Sequence, residues 1–494
     1  MHEVPPLANP ALFKQKNLIN GRWVDSVSGK TFSVIDPATE KEIGRCPESV
    51  EQDVEAAITV AKDALATWRT KSGRERARIL RSWYDLLLVN KGDIATLITW
   101  ENGKAKPDAT GEVLFAASFL EWFSEEAAHV GGDVLQHSNP THRLHVIKEP
   151  VGVCGMITPW NFPAGMVARK LAPALAAGCT AVVKTAGETP FTANAMAVLA
   201  LEAGVPSGVI NIVTALENTP RVGQVLCSSQ DVRKISFTGS TRVGKILMRQ
   251  CSESPKKLSL ELGGNAPFIV FDDCNLDEAV AGLMASKFKV SGQTCVCANR
   301  VYVQKTVHGE FCKRLVKAVA ALQLGGGFTS GVTQGPLIGP LAVAKVGNHV
   351  NDAVSKGAKI AIGGRAADSF GQSFFLPTVL TGMNTEMKIS SEETFGPVAA
   401  LYSFSTEEEV IAVANDSEVG LAAYVYTNDL YRSTRVTEAL QVGMVAINTG
   451  VISDNAAPFG GVKHSGLGRE GSKYGIADYQ ELKTVVVGGF KSQL

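Results

Sequence analysis

The sequence has no excess charge of either sign: Lys and Arg together number 48, and so do Asp and Glu. A chain without a net field has no general attraction to nucleic acid or an anionic membrane, and neither is expected as a partner. A long apolar run is also missing. The longest weakly polar stretch, Leu171 to Val183, is too short to span a bilayer and contains Pro173. No secretory or transit peptide is read at the N-terminus, which carries Glu3, no Arg before Arg22 and no apolar block. The nine cysteines are odd in number and lack framework spacing, which suits a reducing compartment and makes the cytoplasm the expected location. His137, His142 and His145 have no Cys or carboxylate cluster beside them, so no metal is expected. Internal repeats and low-complexity tracts are absent.

What is present is a globular composition, 45% hydrophobic and 19% charged, on a chain of 494 residues, long enough for two or three domains. Between Val151 and Phe271, β-rich runs (Val151–Ile157, Cys179–Val183, Val209–Val213, Lys234–Phe237, Lys256–Leu260) alternate with helical patterns at Val167–Ala176, Thr192–Glu202 and Thr241–Cys251. That alternation predicts βαβ units and a parallel sheet covered on both faces. A second alternating series runs from Pro267 to about Asn448, with helices near Leu276–Phe288, Gly309–Leu322 and Leu341–Ser355, so two α/β domains are expected to join near Gly263-Gly264. Val54–Val89 reads as helical. Gly131–Lys148 and Lys483–Gly488 alternate β-branched and polar residues.

Three segments carry chemistry. Ser291-Gly292-Gln293-Thr294-Cys295-Val296-Cys297-Ala298-Asn299 places Cys295 in a polar, turn-forming loop, whereas an inert structural cysteine sits among aliphatics. Glu261 lies 34 residues upstream in Leu260-Glu261-Leu262-Gly263-Gly264, and Asn161 lies in Thr158-Pro159-Trp160-Asn161-Phe162-Pro163. A thiol, a carboxylate and an amide supply nucleophile, base and oxyanion donor for acyl chemistry. Each also has a plain alternative: Cys295 as a core cysteine, Glu261 as a strand-end surface carboxylate, Asn161 as a turn residue. Cys295 and Cys297 as zinc ligands lack further Cys or His at ligand spacing. The strand-turn-helix around Ser236-Phe237-Thr238-Gly239-Ser240-Thr241 suits a pyrophosphate at a helix N-terminus. Gly239 to Lys245 imitates a P-loop, but Ile246 stands where its hydroxyl should be. Gly466-Leu467-Gly468-Arg469-Glu470-Gly471 imitates a dinucleotide fingerprint but leaves no room for its βαβ unit.

These segments, in this order, resemble the aldehyde dehydrogenase superfamily from about Asn20 to Val487. The resemblance implies an α/β fold with two Rossmann-type parallel-sheet domains: a dinucleotide-binding domain from residues 1–130 and 149–262, and a catalytic domain from 263–455. A small β segment, 131–148 and 476–494, would make a homo-oligomer, dimer or tetramer. It implies NADP or NAD as cofactor, with Thr158, Trp160, Lys184, Gly187, Thr238, Gly239, Ser240, Gly244, Leu262, Glu393 and Phe395 as its binding residues. Trp160 and Ser240 would take the pyrophosphate, Lys184 the adenosine ribose, and Glu393 the nicotinamide ribose. Cys295 would add to a small aldehyde, Asn161 and a backbone N–H would hold the oxyanion, and Glu261 would activate water to cleave the thioester.

Within the superfamily the likeness is greatest to succinate-semialdehyde dehydrogenases, through Ala285-Ser286-Lys287-Phe288, Pro458-Phe459-Gly460-Gly461 and the stretch Gly466 to Ile476. It implies oxidation of succinate semialdehyde to succinate, as in 4-aminobutanoate degradation. The substrate carboxylate would meet Arg169, Ser453 and Lys289, where the family has a second arginine in place of Lys289; the exchange keeps charge but loses bidentate geometry. The alternatives are another ω-carboxylated aldehyde such as glutarate semialdehyde, or a non-catalytic redox-sensing nucleotide-binding protein. NAD-using relatives carry Lys-Pro-Ala-Glu where this chain reads Lys184-Thr185-Ala186-Gly187. A carboxylate there would repel a 2′-phosphate by about 4 kcal/mol at ~4 Å and an effective dielectric of ~20, so NADP is the expected coenzyme. In an extended loop Cys295 and Cys297 would face the same side, and some members of the resembled family close a regulatory disulfide there. The other reading has Cys297 only packing beside the nucleophile.

Overall fold

The computed structural model describes residues 6–491; Glu3 and the outer ends of the two terminal ranges lie outside them. The hairpins β1 (Asn17–Ile19)–β2 (Arg22–Val24) and β3 (Thr31–Ile35)–β4 (Glu42–Pro47) precede four helices, α1 (Glu51–Trp68), α2 (Gly73–Val89), α3 (Lys91–Asn102) and α4 (Lys106–Glu126). The helical stretch expected over Val54–Val89 is therefore two helices. Ser72 breaks it by capping α2, its Oγ accepting the Glu75 amide while the Glu75 carboxylate returns to Ser72 N, a capping box. Strands β5 (Asp133–Leu135) and β6 (Arg143–Pro150) then lead into alternating units: β7 (Val153–Ile157), α5 (Gly165–Ala177), β8 (Thr180–Lys184), α6 (Pro190–Glu202), β9 (Ile210–Val213), α7 (Thr219–Ser228), β10 (Val232–Thr238), α8 (Thr241–Cys251) and β11 (Lys257–Glu261).

The first sheet has eight strands, with the parallel core β9-β8-β7-β10-β11. Its strands are buried on both faces, as continuous runs such as Thr180–Lys184 require when helices cover both sides. Register aligns the functional ends: Ile157 pairs with Lys184, Phe237 with Ile157, and Thr238 with Glu261. Thr158, Lys184, Thr238 and Glu261 thus emerge together at the carboxyl edge, the edge at which open α/β sheets take ligands.

A four-residue link, with Gly263 and Gly264 in it, leads from β11 to the second sheet. Its strands are β12 (Ala266–Val270), β13 (Ala298–Gln304), β14 (Lys359–Ile362), β15 (Thr378–Thr381), β16 (Val398–Phe404), β18 (Ala422–Tyr426) and β19 (Met444–Ile447), in the order β14-β15-β16-β13-β12-β18-β19; the short β17 (Val419–Gly420) lies outside it. All pairs are parallel except β14 with β15. Helices α9 (Leu276–Leu283), α10 (His308–Ala320) and α11 (Pro340–Ser355) pack on it. The helix expected at Leu276–Phe288 stops at Leu283 and continues as one π-helical turn, Met284–Phe288.

The chain closes with β20 (Val462–Lys463), β21 (Gly466–Leu467) and β22 (Gln480–Val487). β21 lies antiparallel on β11, so the Gly-rich run at 466–471 is an edge of the first sheet and no phosphate loop. β22 pairs with β6 over its whole length, and β5 completes a three-stranded sheet that stands off the body. No helix among the described residues is long and apolar enough to cross a membrane.

Candidate active site

Between the two sheets lies a cavity of about 460 Å³ lined from both. The first domain contributes Asn161 and Glu261 and the second contributes Cys295, so the three catalytic candidates share one chamber. Cys295 is half-buried while Asn161 and Glu261 are buried.

The nucleophile loop reaches the cavity through a forced bend. Val290, Ser291 and Gly292 all have positive φ, 53°, 53° and 76°. At Gly292 a Cβ would lie 2.2 Å from the Gly396 carbonyl oxygen, so glycine is required. Side chains lock the bend: Ser291 Oγ donates to Gly335 O (2.8 Å), and Gln293 Oε1 accepts the Ile338 amide (2.9 Å). Tyr424 Oη donates to Val296 O (2.8 Å). The Cys297 amide donates to Thr294 O (3.1 Å), closing a turn. The extended loop expected from the sequence is thereby corrected. Cys295 lines the cavity, whereas buried Cys297 turns its thiol to the Lys287 carbonyl, 3.4 Å away, because a turn does not preserve the two-residue alternation of a strand.

Burial pushes the Cys295 thiol up to about 12; the Arg169 guanidinium opposes that, and the Glu261 and Glu393 carboxylates add to it. The Glu261 carboxyl rises to about 8, first through burial and then through the nearby Glu470 carboxylate, against the pull of Arg169 and Lys170. Its Oε2 is buried without a hydrogen-bond partner among the described residues. A carboxyl poised near neutrality with a free lone pair is what a general base needs. Asn161 Nδ2 donates to Gln293 O (3.0 Å), which aims the amide at the nucleophile loop and leaves its second N–H uncommitted.

Arg169 and Ser453 line the cavity, as does exposed Lys289. Arg169 is far from solvated. Its Nε donates to Glu470 Oε2 at 2.7 Å, its guanidinium stacks 4.1 Å over the Phe459 ring, and adjacent Lys170 pairs with Glu470 Oε1 at 2.5 Å. Sequence reasoning missed Lys170 and Glu470. The available signal was Arg169-Lys170 inside the otherwise apolar helix α5, since buried cations demand a buried anion.

The coenzyme side is formed but only partly within the cavity. Trp160 packs edge-on against Phe395, ring centroids 5.5 Å apart, and both line the cavity with Thr238, Gly239, Ser240 and Leu262. Ser240 caps α8, accepting the Val243 amide at 3.3 Å, so the helix's positive end faces the cavity. A Cβ on Gly244 would come within 2.5 Å of Leu262 Cδ2, which is why α8 approaches so closely. Glu393 Oε1 accepts the Gly264 amide (3.3 Å), and burial lifts this carboxyl to about 7. Thr158, Lys184, Gly187 and Gly244 do not line the cavity. Buried Lys184 has its ammonium pushed down to about 8, chiefly by burial. The Thr238 hydroxyl is buried and has no hydrogen-bond partner among the described residues, and with the helix end it fits a bound nicotinamide dinucleotide. Among the described residues no three His, Cys, Asp or Glu side chains gather to hold a metal.

The chain is 53% identical over 477 residues, 97% of this chain and 98% of the relative, to succinate-semialdehyde dehydrogenase (NADP(+)) of Escherichia coli. It is 52% identical over 483 residues, 98% of this chain and 99% of the relative, to glutarate-semialdehyde dehydrogenase of Pseudomonas aeruginosa. The crystal structure of succinate-semialdehyde dehydrogenase from Burkholderia pseudomallei superposes with a TM-score of 0.97 at 51% identity, covering 98% of this chain and 100% of that one. The aldehyde dehydrogenase family model matches residues 23–485, and with a thiol, a neutral-range carboxyl and an amide meeting between two parallel-sheet domains, this chain belongs to the aldehyde dehydrogenase family.

Proposed function

We propose that this chain oxidises succinate semialdehyde to succinate, with NADP preferred over NAD as hydride acceptor. The observation that carries the reading is the cavity itself, whose lining brings Cys295, Glu261 and Asn161 together with Arg169, Lys289 and Ser453. Cys295 gives up its proton to solvent, the Arg169 guanidinium favouring the thiolate, and the thiolate adds to the aldehyde carbon. The carbonyl oxygen becomes an oxyanion, held by the free Asn161 N–H and the Cys295 backbone amide. A bound nicotinamide, held beside Thr238 and by Glu393, would supply the hydride acceptor, and the Cys295 adduct would become a thioester as its carbonyl re-forms. Glu261 then takes a proton from water, hydroxide adds to the thioester, and the acid is released as Cys295 leaves as a thiolate and recovers its proton from Glu261. The net reaction consumes one aldehyde, one water and one oxidised coenzyme, and yields acid, reduced coenzyme and a proton.

The substrate's distal carboxylate is held by Lys289 and Ser453 on the exposed side and by Arg169 within. The NADP preference rests on Gly187, which places no carboxylate beside a 2′-phosphate, and on the Lys184 ammonium nearby. Trp160, Thr238, Ser240 and Glu393 hold the rest of the coenzyme. The reading also includes a homo-oligomer built through the stand-off sheet, whose Val134, Leu135, Leu482 and Val486 are exposed.

A second reading, oxidation of glutarate semialdehyde, is favoured by Lys289, whose flexible stem reaches a carboxylate one carbon further out. Reduction of NADP and of NAD measured with succinate semialdehyde, glutarate semialdehyde and betaine aldehyde decides between them. The highest kcat/KM is expected with succinate semialdehyde and NADP. A higher value with glutarate semialdehyde selects the second reading, and equal turnover of betaine aldehyde overturns the carboxylate pocket altogether.

A further inference from the structure

Asn161 sits in a short irregular turn between β7 and α5, flanked by Pro159 and Pro163. An oxyanion donor has to be held within a few tenths of an ångström, and a turn offers no ladder of its own to do so. The turn is instead gripped by two helices that reach it from elsewhere in the chain. Asn102, at the end of α3, donates from Nδ2 to Trp160 O at 2.9 Å. Lys104, in the link between α3 and α4, donates from Nζ to Asn161 O at 2.6 Å and lies 4.3 Å over the Phe162 ring. The same ammonium pairs with Glu112 Oε2 on α4. The other carboxylate oxygen of Glu112 accepts the Ala164 and Gly165 amides, at 2.8 and 3.2 Å, and so caps α5. Lys104 and Glu112 side chains are 1% and 0% exposed.

A buried ion pair is a poor source of stability, because desolvating both charges offsets their attraction. Its position here is informative for another reason. Lys104 does not itself line the cavity, although its partners Glu112, Asn161 and Phe162 do, and its charge is directed at the carbonyl of the one residue whose side chain must meet the oxyanion. From Nζ one hydrogen bond goes to Asn161 and one ion pair to the carboxylate that fixes the next turn, and the same ammonium lies over the Phe162 ring. Asn161 is thereby held from its backbone by Lys104 and from its side chain by Gln293 O across the domain boundary.

We propose that Lys104, through its ion pair with Glu112, is a positioning residue for the oxyanion donor Asn161. This rests on the oxyanion role given to Asn161 above. A misplacement of about 1 Å at a catalytic group costs up to ~10²-fold, so Lys104→Met, which keeps the stem and removes the ammonium, lowers kcat about 10- to 100-fold. The KM for NADP changes little.

The test is a double-mutant cycle on the full-length enzyme: kcat of wild type, Lys104→Met, Asn161→Ala and the double variant, with thermal melting of each. If Lys104 acts through Asn161, its removal costs less than about twofold once Asn161 is already alanine, because no oxyanion donor is left to misplace. An equal loss in both backgrounds shows a general effect on packing and overturns the proposal. Asn161→Ala with wild-type turnover overturns the oxyanion reading instead, so the two failures are distinguishable. Where Lys104→Met does not fold, Lys104→Arg takes its place in the same cycle. Arg keeps the charge but moves it on a longer planar head, and it is expected to lose kcat only in the Asn161 background.

Discussion

The two domains meet at one cavity but hold their catalytic groups by opposite means. In the first domain Asn161 and Glu261 lie at or just beyond the carboxyl ends of parallel strands and Arg169 lies within helix α5, and buried ion pairs surround them: Lys104 with Glu112, and Arg169 and Lys170 with Glu470. In the second domain Cys295 and Glu393 sit in loops entering β13 and β16, and a left-handed bend and hydrogen bonds involving the backbone, rather than ion pairs, hold them. On the proposed mechanism, the side that moves protons is built from charge, whereas the side that carries the nucleophile is built from backbone shape. Substitutions on the first should change pH behaviour, and those on the second should change chemistry at every pH.

The sharpest contrast is Cys295→Ala, expected to abolish turnover with every aldehyde while coenzyme binding, followed by fluorescence titration, stays intact. Glu261→Gln should instead let acyl-enzyme accumulate, visible as a mass increase on Cys295, because the thioester forms and waits for a base. Residual steady turnover by Cys295→Ala would break the comparison at its root.

Next in size is the substrate carboxylate. Lys289→Ala is expected to raise KM for succinate semialdehyde roughly 10- to 100-fold, a charged hydrogen bond being worth about 1.5–3 kcal/mol, and to leave an uncharged aldehyde unaffected. Arg169→Ala should behave differently, since its guanidinium also balances Glu470 and opposes the rise of Cys295 and Glu261. It should lower kcat with both kinds of aldehyde. Substrate-specific loss in Arg169→Ala would show that the ion lattice has no part in proton transfer.

The pH dependence follows with its sign fixed. Glu261 is raised to about 8, so the carboxylate form that serves as base is lost as pH falls below that value, and kcat should decline on the acid side with a midpoint near it. Glu470→Gln removes a raising carboxylate and leaves Lys170 and Arg169 free to lower Glu261. Both changes act in the same direction, so the acid limb should move to lower pH. An unmoved profile would place the controlling titration on another group.

The sequence made the parallel sheets, the helix Thr241–Cys251 and the trio of Cys295, Glu261 and Asn161 legible, because period and motif are local properties. What it hid was charge pairing across distance. Glu470 meets Arg169 some 300 positions away, inside a glycine-rich run that imitates a nucleotide motif. Lys104 and Glu112 belong to no motif, and only the packing of α3 and α4 buries them as a pair. The turn at Cys295–Cys297 was missed for a related reason: its shape is imposed by Gly396 and Tyr424, which only the fold brings near.

A smaller effect concerns the coenzyme. The Lys184 ammonium is depressed to about 8, so its charge is lost as pH rises through that value, and affinity for NADP should weaken above pH 8 more than affinity for NAD. Gly187→Glu should favour NAD, but a Cβ there would lie 2.7 Å from Leu216 Cδ1 and 3.0 Å from Ala215 O. Leu216 is exposed and can swing away, so a modest switch is expected, alongside a small loss of thermal stability.

The smallest effect is expected at Cys297. A disulfide needs Cα atoms about 4.4–6.8 Å apart and Cβ atoms turned toward each other. Here the Cys297 thiol points beneath the loop to the Lys287 carbonyl while Cys295 faces the cavity, and bringing them together would open the Thr294–Cys297 turn. Without oxidant, Cys297→Ala should change kcat less than about twofold, since the lost contacts are those of one sulfur on the far side of the loop. Under peroxide, wild type and Cys297→Ala are both expected to lose activity through Cys295 passing to sulfinic acid, without recovery in dithiothreitol. Recovery in wild type alone would show that the turn opens on the timescale of oxidation and that Cys297 resolves the sulfenic acid as a disulfide. Backbone shape would then no longer suffice to keep the two cysteines apart, and the second domain would join the first in using a reactive partner to control its catalytic group.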